Sequence, residues 1–242
     1  MKIKVFWVLL FLLFSLNYGY KYEKQIKRTF PMDQDGILQL SNVNGFITLS
    51  TQNKNEISIK AIKRADRKSD LENVIIKFEF EKKELKVFTK RIKKQSTAKV
   101  NFYVKVPKNL KSLKLNSVNG QIEIDGQLRM IKSKTVNGNI HFKGVASDSE
   151  FYAINGGVFF IFQERLKGNI SAETVNGTVK IELQKDSSFR IKGSTLNGGI
   201  KNDFNVAVES KFIGSKITGT INQGQYNIKL KTVNGNIKLL KI

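Results

Sequence analysis

Few residues in this sequence have side chains that could do catalytic or metal-binding chemistry. His141 is the only histidine, and the chain has no cysteine. Cysteine catalysis, thiolate zinc sites and sites with several histidines are therefore excluded. His141 follows the apolar residue Ile140, and alternation along a strand turns it to the outer face. We predict that His141 is a surface residue beside no carboxylate, and we expect no metal and no cofactor.

Paired carboxylates are the remaining catalytic option, since two acids can cleave a glycosidic bond. Glu123 and Asp125 are two residues apart and share the outer face of one strand. The equivalent residues in the next repeats are His141 and Lys143, and then Phe159 and Ile161. The following copy has Lys180 and Glu182 there. Because no cluster of acids accumulates along one face, we interpret this face as solvated and predict that the protein is not an enzyme. A polysaccharide-active enzyme on a β-helix remains an alternative.

Charge is the stronger signal for binding. The chain has 42 Lys and Arg against 20 Asp and Glu, a net charge of +22. No acid lies between Glu84 and Glu123, and we call this lysine-rich stretch the basic run. An excess of positive charge without acids favours anionic binding partners. The candidate contacts are Lys90, Arg91, Lys93, Lys94, Lys99 and Lys105. The partners would be anionic polysaccharide, lipid headgroups or another envelope protein, with contacts that weaken as salt is raised.

The basic run has two other interpretations. It is also compatible with a merely solvated loop. No nucleic-acid-binding motif accompanies it, so no nucleic acid is expected as a partner.

The first residues, MKIKVFWVLLFLLFSLNYGY, resemble an export signal. Two lysines precede an apolar segment from Val5 to Leu16, which is the length of a signal-peptide core and short for a membrane span. We predict a signal peptide over residues 1–19 and export to the bacterial cell envelope, where periplasm, cell surface and extracellular space stay open. The cleavage site is weak, so an uncleaved anchor is the alternative. No later stretch predicts a transmembrane segment.

The sequence contains a repeated motif, and the strands that it forms would position any binding residues. The heptapeptide KTVNGNI occurs at residues 134–140 and again at 231–237. Its Asn-Gly pair recurs as Asn44-Gly45, Asn119-Gly120, Asn137-Gly138, Asn155-Gly156, Asn176-Gly177, Asn197-Gly198 and Asn234-Gly235. Ile217-Thr218-Gly219 fits as a degenerate copy, with Thr in place of Asn. From Asn119 onward the copies then follow one another at 16 to 21 residues.

The arms on both sides of each Asn-Gly pair alternate apolar and polar residues, as strands with one buried face do. Together with the period, this predicts an all-β fold: a parallel β-solenoid of coils of about 18–21 residues over residues 111–242. An array of β-hairpins is the alternative, because Asn-Gly also favours hairpin turns. The hairpin register would pair Val136 with the polar Asn139, which argues against it.

The Asn-Gly pairs are interpreted as structural corners. We predict a positive φ at Gly138 and Gly177, so that Gly177→Val should destabilise the fold by about 1 kcal/mol or more. Each Asn could also bond its equivalents in neighbouring coils; an asparagine ladder that grips a sugar is the alternative. The threonines before the Val-Asn-Gly motif should lie inside or near a corner, and Val175, Val179 and Ile181 should be buried.

The residues before the main repeats have a different pattern. Longer alternating segments, such as Val74 to Phe80 and Val100 to Val106, indicate antiparallel strands. We predict a β-rich antiparallel N-terminal module over residues 20–110, which includes the first Asn-Gly copy. It would cover the open edge at the start of the solenoid.

Together these motifs resemble the bacterial putative-adhesin family of unknown function, which is built from repeated T-V-N-G-x-I units. The resemblance spans roughly residues 36–242 and includes the lead-in segment VKVPKNL at residues 104–110. It implies an envelope-associated β-solenoid without an established catalytic site. Many relatives carry an acid after the Asn-Gly pair, where this chain has residues such as Phe46, Gln121 and Asn139, so no acid-dependent ligand or metal site is expected.

The predicted function is that of a non-enzymatic, adhesin-like binding or scaffold protein of the cell envelope. An envelope-stress regulatory module is a further alternative.

Overall fold

The computed structural model describes residues 20–92, 96–210 and 213–242. The predicted signal peptide, Lys93, Lys94 and Phe212 lie outside the described residues. The all-β prediction is confirmed, since strands dominate the described residues and the one helix there, α1, runs only from Lys68 to Glu72. The strands are β1 Tyr22–Pro31, β2 Ile37–Asn44, β3 Ile47–Gln52, β4 Glu56–Ala65, β5 Val74–Glu81, β6 Glu84–Arg91, β7 Lys99–Pro107, β8 Leu110–Asn119, β9 Ile122–Asn137, β10 Ile140–Asn155, β11 Val158–Phe162, β12 Ile170–Asn176, β13 Val179–Leu183, β14 Phe189–Asn197, β15 Ile200–Asn202, β16 Val208–Ser210, β17 Ser215–Ile221, β18 Tyr226–Asn234 and β19 Ile237–Lys241.

The strands that precede an Asn-Gly pair, together with the strands that extend them at both ends, form one row, which we call the leading row. Its spatial order is β5, β6, β2, β8, β9, β10, β12, β18, β14, β17 and β16. From β6 to β14 all neighbours are parallel, and the asparagines stand in register, as with Asn119 opposite Asn137. Parallel pairing of this kind is incompatible with hairpins, in which consecutive strands are antiparallel.

The strands that follow an Asn-Gly pair, together with β7, β4 and β1, which extend them at one end, form the trailing row. Its order is β1, β4, β7, β3, β9, β10, β11, β13, β19 and β15. The two 16-residue strands β9 and β10 contribute to both rows, and they pass from one row to the other where Gly126 lies opposite Gly144. Both of these glycines have positive φ.

The two rows face each other across one hydrophobic core. Phe151 of the leading row contacts Phe160 of the trailing row, with ring centroids 4.6 Å apart. Aliphatic residues at alternating positions fill the rest of the space, among them Leu113, Ile131, Val179 and Ile181, all fully buried. Each pair of strands buries only one face, so the core exists only where neighbouring pairs stack.

The prediction that Val175 is buried is wrong. Val179 and Ile181 are fully buried, but Val175 is only half-buried. The side chains of Ala172 and Thr174 point into the core, so strict alternation turns Val175 to the outer face. The same position in other copies is likewise half-buried or exposed, as at Val118 and Leu196.

The degenerate copy at Ile217-Thr218-Gly219 is also a wrong prediction. These residues lie inside β17, which pairs antiparallel with β14 in the register Thr218 opposite Lys192. Without the Asn side chain and a turn at Gly219, the segment runs straight through as a strand. Strand β16 then pairs antiparallel with β17 at the edge of the leading row.

The order of the strands in space departs from their order in sequence at the C-terminal end. The last pair, β18 and β19, lies between the pair β12–β13 and the pair β14–β15. As a result, Asn234 stands between Asn176 and Asn197 rather than beyond them. The final repeat therefore joins two parts of the chain that precede it.

The strands before β8 surround the first Asn-Gly copy. Strands β6 and β7 extend the two rows in parallel beside β2 and β3. Beyond them, β5 is antiparallel to β6, and β4 is antiparallel to both β7 and β1. Phe30 of β1 packs on Phe78 and Phe80 of β5, which brings the two rows together at this end.

Candidate functional site

The seven Asn-Gly pairs lie on one line along the stack. Their asparagine side chains form an unbroken chain of hydrogen bonds, over 2.7 to 2.9 Å, in which the Nδ2 of each asparagine after Asn44 donates to the Oδ1 of the asparagine before it in the stack. The spatial order is Asn44, Asn119, Asn137, Asn155, Asn176, Asn234 and Asn197. Since the interior members use both an amide donor and a carbonyl acceptor within the ladder, less of their capacity remains for a sugar.

Four threonines tie neighbouring copies together at this line. The hydroxyls of Thr135, Thr174, Thr195 and Thr232 donate to the carbonyl oxygen of a neighbouring copy's glycine, over 2.7 to 3.2 Å. All four are at most 4% exposed. The threonines are thus internal, and they do not form an array that faces a ligand.

The glycines are required by close backbone contact more than by φ. Gly138 has a φ of 147°, as predicted, but Gly177 is not among the positive-φ glycines, so the prediction for Gly177 is wrong. A Cβ on Gly177 would instead lie 2.1 Å from the carbonyl oxygen of Gly156. A Cβ on Gly235 would lie 2.0 Å from the carbonyl oxygen of Gly177. Stacked copies approach each other backbone to backbone here, which no larger residue allows.

His141 lies on the outer face of the trailing row, as predicted, but it does have a carboxylate neighbour. It stands between Glu123 and Phe159 on adjacent strands and stacks on the Phe159 ring with centroids 4.8 Å apart. Glu123 accepts hydrogen bonds from Gln121 Nε2 at 2.7 Å and Thr48 Oγ1 at 3.3 Å. A shallow groove of about 430 Å³ covers these residues. Among the described residues, no group of three or more His, Asp or Glu side chains could hold a metal ion.

The residues of the basic run do not meet on one surface. Lys90 projects from the outer face of β6 in the leading row, beside a half-buried Arg91. Lys99 and Lys105 project from the outer face of β7 in the trailing row. Since the two rows face each other across the core, these outer faces point in opposite directions. The described members of the predicted anionic-partner site are therefore divided between two faces.

A row of lysines on the trailing row was missed in the sequence analysis. Lys238 lies directly opposite Lys180 on one side and Lys201 on the other. Lys180 pairs with Glu182, whereas Lys201 and Lys238 are exposed and have no ion pair among the described residues. We call these three residues the lysine row. Each of the three is the third residue after the glycine of its Asn-Gly pair. An alignment of the repeats at this outward position could therefore have identified them.

A trough crosses the outer face of the leading row in its C-terminal half. Its volume is about 710 Å³, and its lining extends from Met130 and Lys132 on β9 to Thr218 and Thr220 on β17. At the β9–β10 end, Lys132 Nζ is 2.8 Å from Glu150 Oε2. This hydrogen bond lowers the pKa of Glu150 below its usual value, against a smaller opposing effect of burial. The basic run gave no indication of the trough, because the residues that line the trough lie outside that run.

The fold and these surfaces define an all-β repeat protein with polar outer faces. Among the described residues no helix has the length and apolar character needed to cross a membrane. Residues 154–240 match the family described as Toastrack DUF4097. The resemblance to a putative-adhesin family is thereby confirmed, over a shorter range than the repeats indicated.

Two solved structures of bacterial proteins match this chain over most of its length. A putative cell adhesion protein from Clostridium sporogenes ATCC 15579 is 12% identical; the match covers 90% of this chain and 100% of that chain, with a TM-score of 0.55. A putative adhesin from Bacteroides fragilis NCTC 9343 is 11% identical over 90% of this chain and 97% of that one, with a TM-score of 0.38. Only the first score supports a shared fold, and at this identity it supports nothing beyond the fold. No curated protein matches the sequence.

Proposed function

We propose that the protein is an exported, non-enzymatic component of the bacterial cell envelope that acts as an adhesin-like scaffold. In this proposal residues 111–242 form a β-solenoid and residues 20–110 cover its N-terminal end. Its outer faces bind anionic envelope polymers. This class of function follows the description of the Clostridium sporogenes protein of similar fold, a putative cell adhesion protein.

The observation that carries the proposal is the lysine row. Like charges directly opposite each other on neighbouring strands destabilise a sheet, and here three ammonium groups follow one another with one acid partner, Glu182. A bound anion would relieve that repulsion. Near an anionic surface each such cation contributes about 1 kcal/mol, and the contribution falls with salt.

The basic run is the second part of the proposed contact surface. Lys90, Lys99 and Lys105 are exposed, and Lys93 and Lys94 add two more cations to the same stretch of chain. Because the described members lie on two faces, they would bind separate segments of a polymer or separate polymers. A scaffold that binds on several faces suits retention in an envelope more than recognition of one small ligand.

The test is retention of the purified protein on isolated bacterial cell wall as salt is raised. We expect strong retention at low salt and steep loss toward and beyond physiological salt. The double variant Lys201→Gln, Lys238→Gln and the quadruple variant Lys90→Gln, Arg91→Gln, Lys93→Gln, Lys94→Gln should each weaken retention several-fold. The double variant Lys21→Gln, Lys77→Gln is the matched control, since both lysines are exposed and have no ion pair among the described residues.

Two results would overturn the proposal. One is wild-type retention that does not depend on salt. The other is an equal effect of the control and the lysine-row variant, which would indicate net charge alone. A glycan screen with a turnover assay on the hits separates the scaffold from a polysaccharide-active enzyme, because product formation would contradict the non-enzymatic assignment.

A further inference from the structure

We propose that the trough on the leading row is a binding site for a linear acidic polysaccharide that lies along the stacking direction of the strands. This inference rests on the proposed function and names a site and a ligand class for it. The site is distinct from both the basic run and the lysine row. Its principal cations are Arg190, Lys192 and Lys229.

The shape of the trough fits an extended polymer. Strands β9, β10, β12, β18, β14 and β17 follow one another across it. These are five strand spacings of ~4.8 Å, or about 24 Å in all. Equivalent outward positions recur at each spacing, so a chain of sugar rings laid across the strands would meet a new side chain at every step.

The C-terminal half of the trough carries positive charge with little acid nearby. Lys229 lies directly opposite Lys192 on the neighbouring strand, and it contacts Glu173 over 2.6 Å. Arg190 and Lys192 are exposed and have no ion pair among the described residues. This arrangement favours carboxylate or sulfate groups on the ligand, and Arg190 can hold such a group through two parallel hydrogen bonds.

The position of Arg190 is supported by its neighbours. A Cβ added to Gly224 would lie 3.1 Å from Arg190 Cγ and 2.8 Å from Thr220 Cγ2. The arginine stem thus packs closely over the turn before β18. A side chain held by packing loses less conformational freedom when it binds an anion.

Neutral polar groups alternate with these cations, and they favour a sugar over a membrane. Thr218 lies opposite Lys192, Thr220 opposite Arg190, and Asn227 opposite Arg190 on the other side. Such hydroxyl and amide groups pair with sugar hydroxyls. A lipid bilayer presents a broad surface of headgroups, which cannot follow a concave trough along its whole length.

In the opposite half of the trough, Lys132 has an acid partner and Asp148 adds a negative charge. Glu150 contacts Lys132, and Asp148 Oδ1 accepts hydrogen bonds from the backbone N–H and the side chain of Asn169 at 3.0 and 3.2 Å. The acidic groups of the ligand should therefore lie over β18 and β14, and its less charged part over β9 and β10.

The experiment measures the affinity of the purified protein for polygalacturonate by titration calorimetry at low salt. Its methyl-esterified form has the same backbone without the charge and serves as the ligand control. The double variant Arg190→Gln, Lys192→Gln should weaken binding by about tenfold or more. The control variant Lys21→Gln, Lys77→Gln removes the same charge from positions outside the trough and should weaken binding much less. Thr220→Val changes no charge and should weaken binding about threefold, through the lost hydroxyl contact.

Several outcomes would overturn the trough as the site. Equal effects of the two double variants would assign polygalacturonate binding to general charge attraction. Binding of the esterified polymer that matches the acidic one would exclude an anionic ligand. An equal loss of binding to phosphatidylglycerol vesicles in the Arg190→Gln, Lys192→Gln variant would indicate a site for anionic lipid surfaces instead.

The two proposals can fail separately. Salt-sensitive retention on cell wall without polygalacturonate binding overturns the trough site and leaves the proposed function standing. Polygalacturonate binding that the Arg190→Gln, Lys192→Gln variant weakens, without any cell-wall retention, overturns the proposed envelope role and leaves the trough as a binding site.

Discussion

At the residue scale, each corner depends on an asparagine and a glycine that act between copies. The asparagine bonds the next asparagine in the stack, and the glycine gives the next copy room to approach. At Gly177 no left-handed backbone is involved, and the nearest obstacle to a side chain is the Gly156 carbonyl oxygen. The corner glycine is thus a contact residue between repeats.

This assignment predicts a difference between two neighbouring types of glycine. Gly177→Ala should lower the free energy of unfolding by about 1–3 kcal/mol, because backbone must shift to admit the methyl group. Gly199→Ala is the matched control, since the nearest atom to its added Cβ is 3.8 Å away. It should change stability by less than about 0.5 kcal/mol. Urea unfolding curves measure both variants, and equal midpoints would contradict the close-contact assignment.

At the element scale, a strand pair has an inner face that makes the core and an outer face that meets solvent or ligand. Ile181 and Val175 belong to the same copy, yet Ile181 is fully buried and Val175 is half-buried. The first inner position after the Asn-Gly pair holds an apolar residue in every copy, as at Ile140 and Val179. The outer positions vary from Glu123 and His141 to Lys180, so binding properties can change without effect on the core.

The two faces should respond differently to truncation of a side chain. Ile181→Ala should cost roughly 2–5 kcal/mol, because it opens a cavity between stacked strands. Val175→Ala should cost less than about 1 kcal/mol, because part of the side chain already contacts water. The thermal unfolding midpoint of each variant measures this, and similar losses in the two variants would show that the outer position also contributes to packing.

At the scale of the whole molecule, the last repeat holds the C-terminal half together. Strands β14 and β15 join the parallel stack through β18 and β19, which lie between them and β12–β13. In a stack that follows sequence order, loss of the final repeat would only shorten the end. Here the loss of β18 and β19 would separate the pair β12–β13 from the pair β14–β15.

Deletion of residues 226–242 should therefore unfold the chain from β14 onward and expose the inner faces of β12 and β13. Hydrogen exchange followed by mass spectrometry measures this directly. We expect protection to be lost in β14 and β17 and retained in β6 and β7, which lie at the far end and serve as the internal control. Native protection of β14 after the deletion would contradict the inserted position of the final repeat.

The sequence alone determined the features that depend on local periodicity. Alternating arms predicted strands, the repeated Asn-Gly pairs predicted where they are interrupted, and the same periodicity identified buried positions such as Val179 and Ile181. Composition predicted the excess of positive charge. The strands and their buried positions follow from the geometry of a single strand, so a short segment of sequence is enough to predict them.

Only the tertiary structure decided which copies are neighbours. The sequence places Thr218 at a repeat position, but the structure assigns that segment to an antiparallel strand and inserts Asn234 between Asn176 and Asn197. Every copy offers a similar edge, so the sequence pattern does not specify the order of stacking. The lysine row and the trough depend on that order. Only when the last repeat is in place does Lys238 lie beside Lys201 in the lysine row, and Lys229 beside Lys192 in the trough.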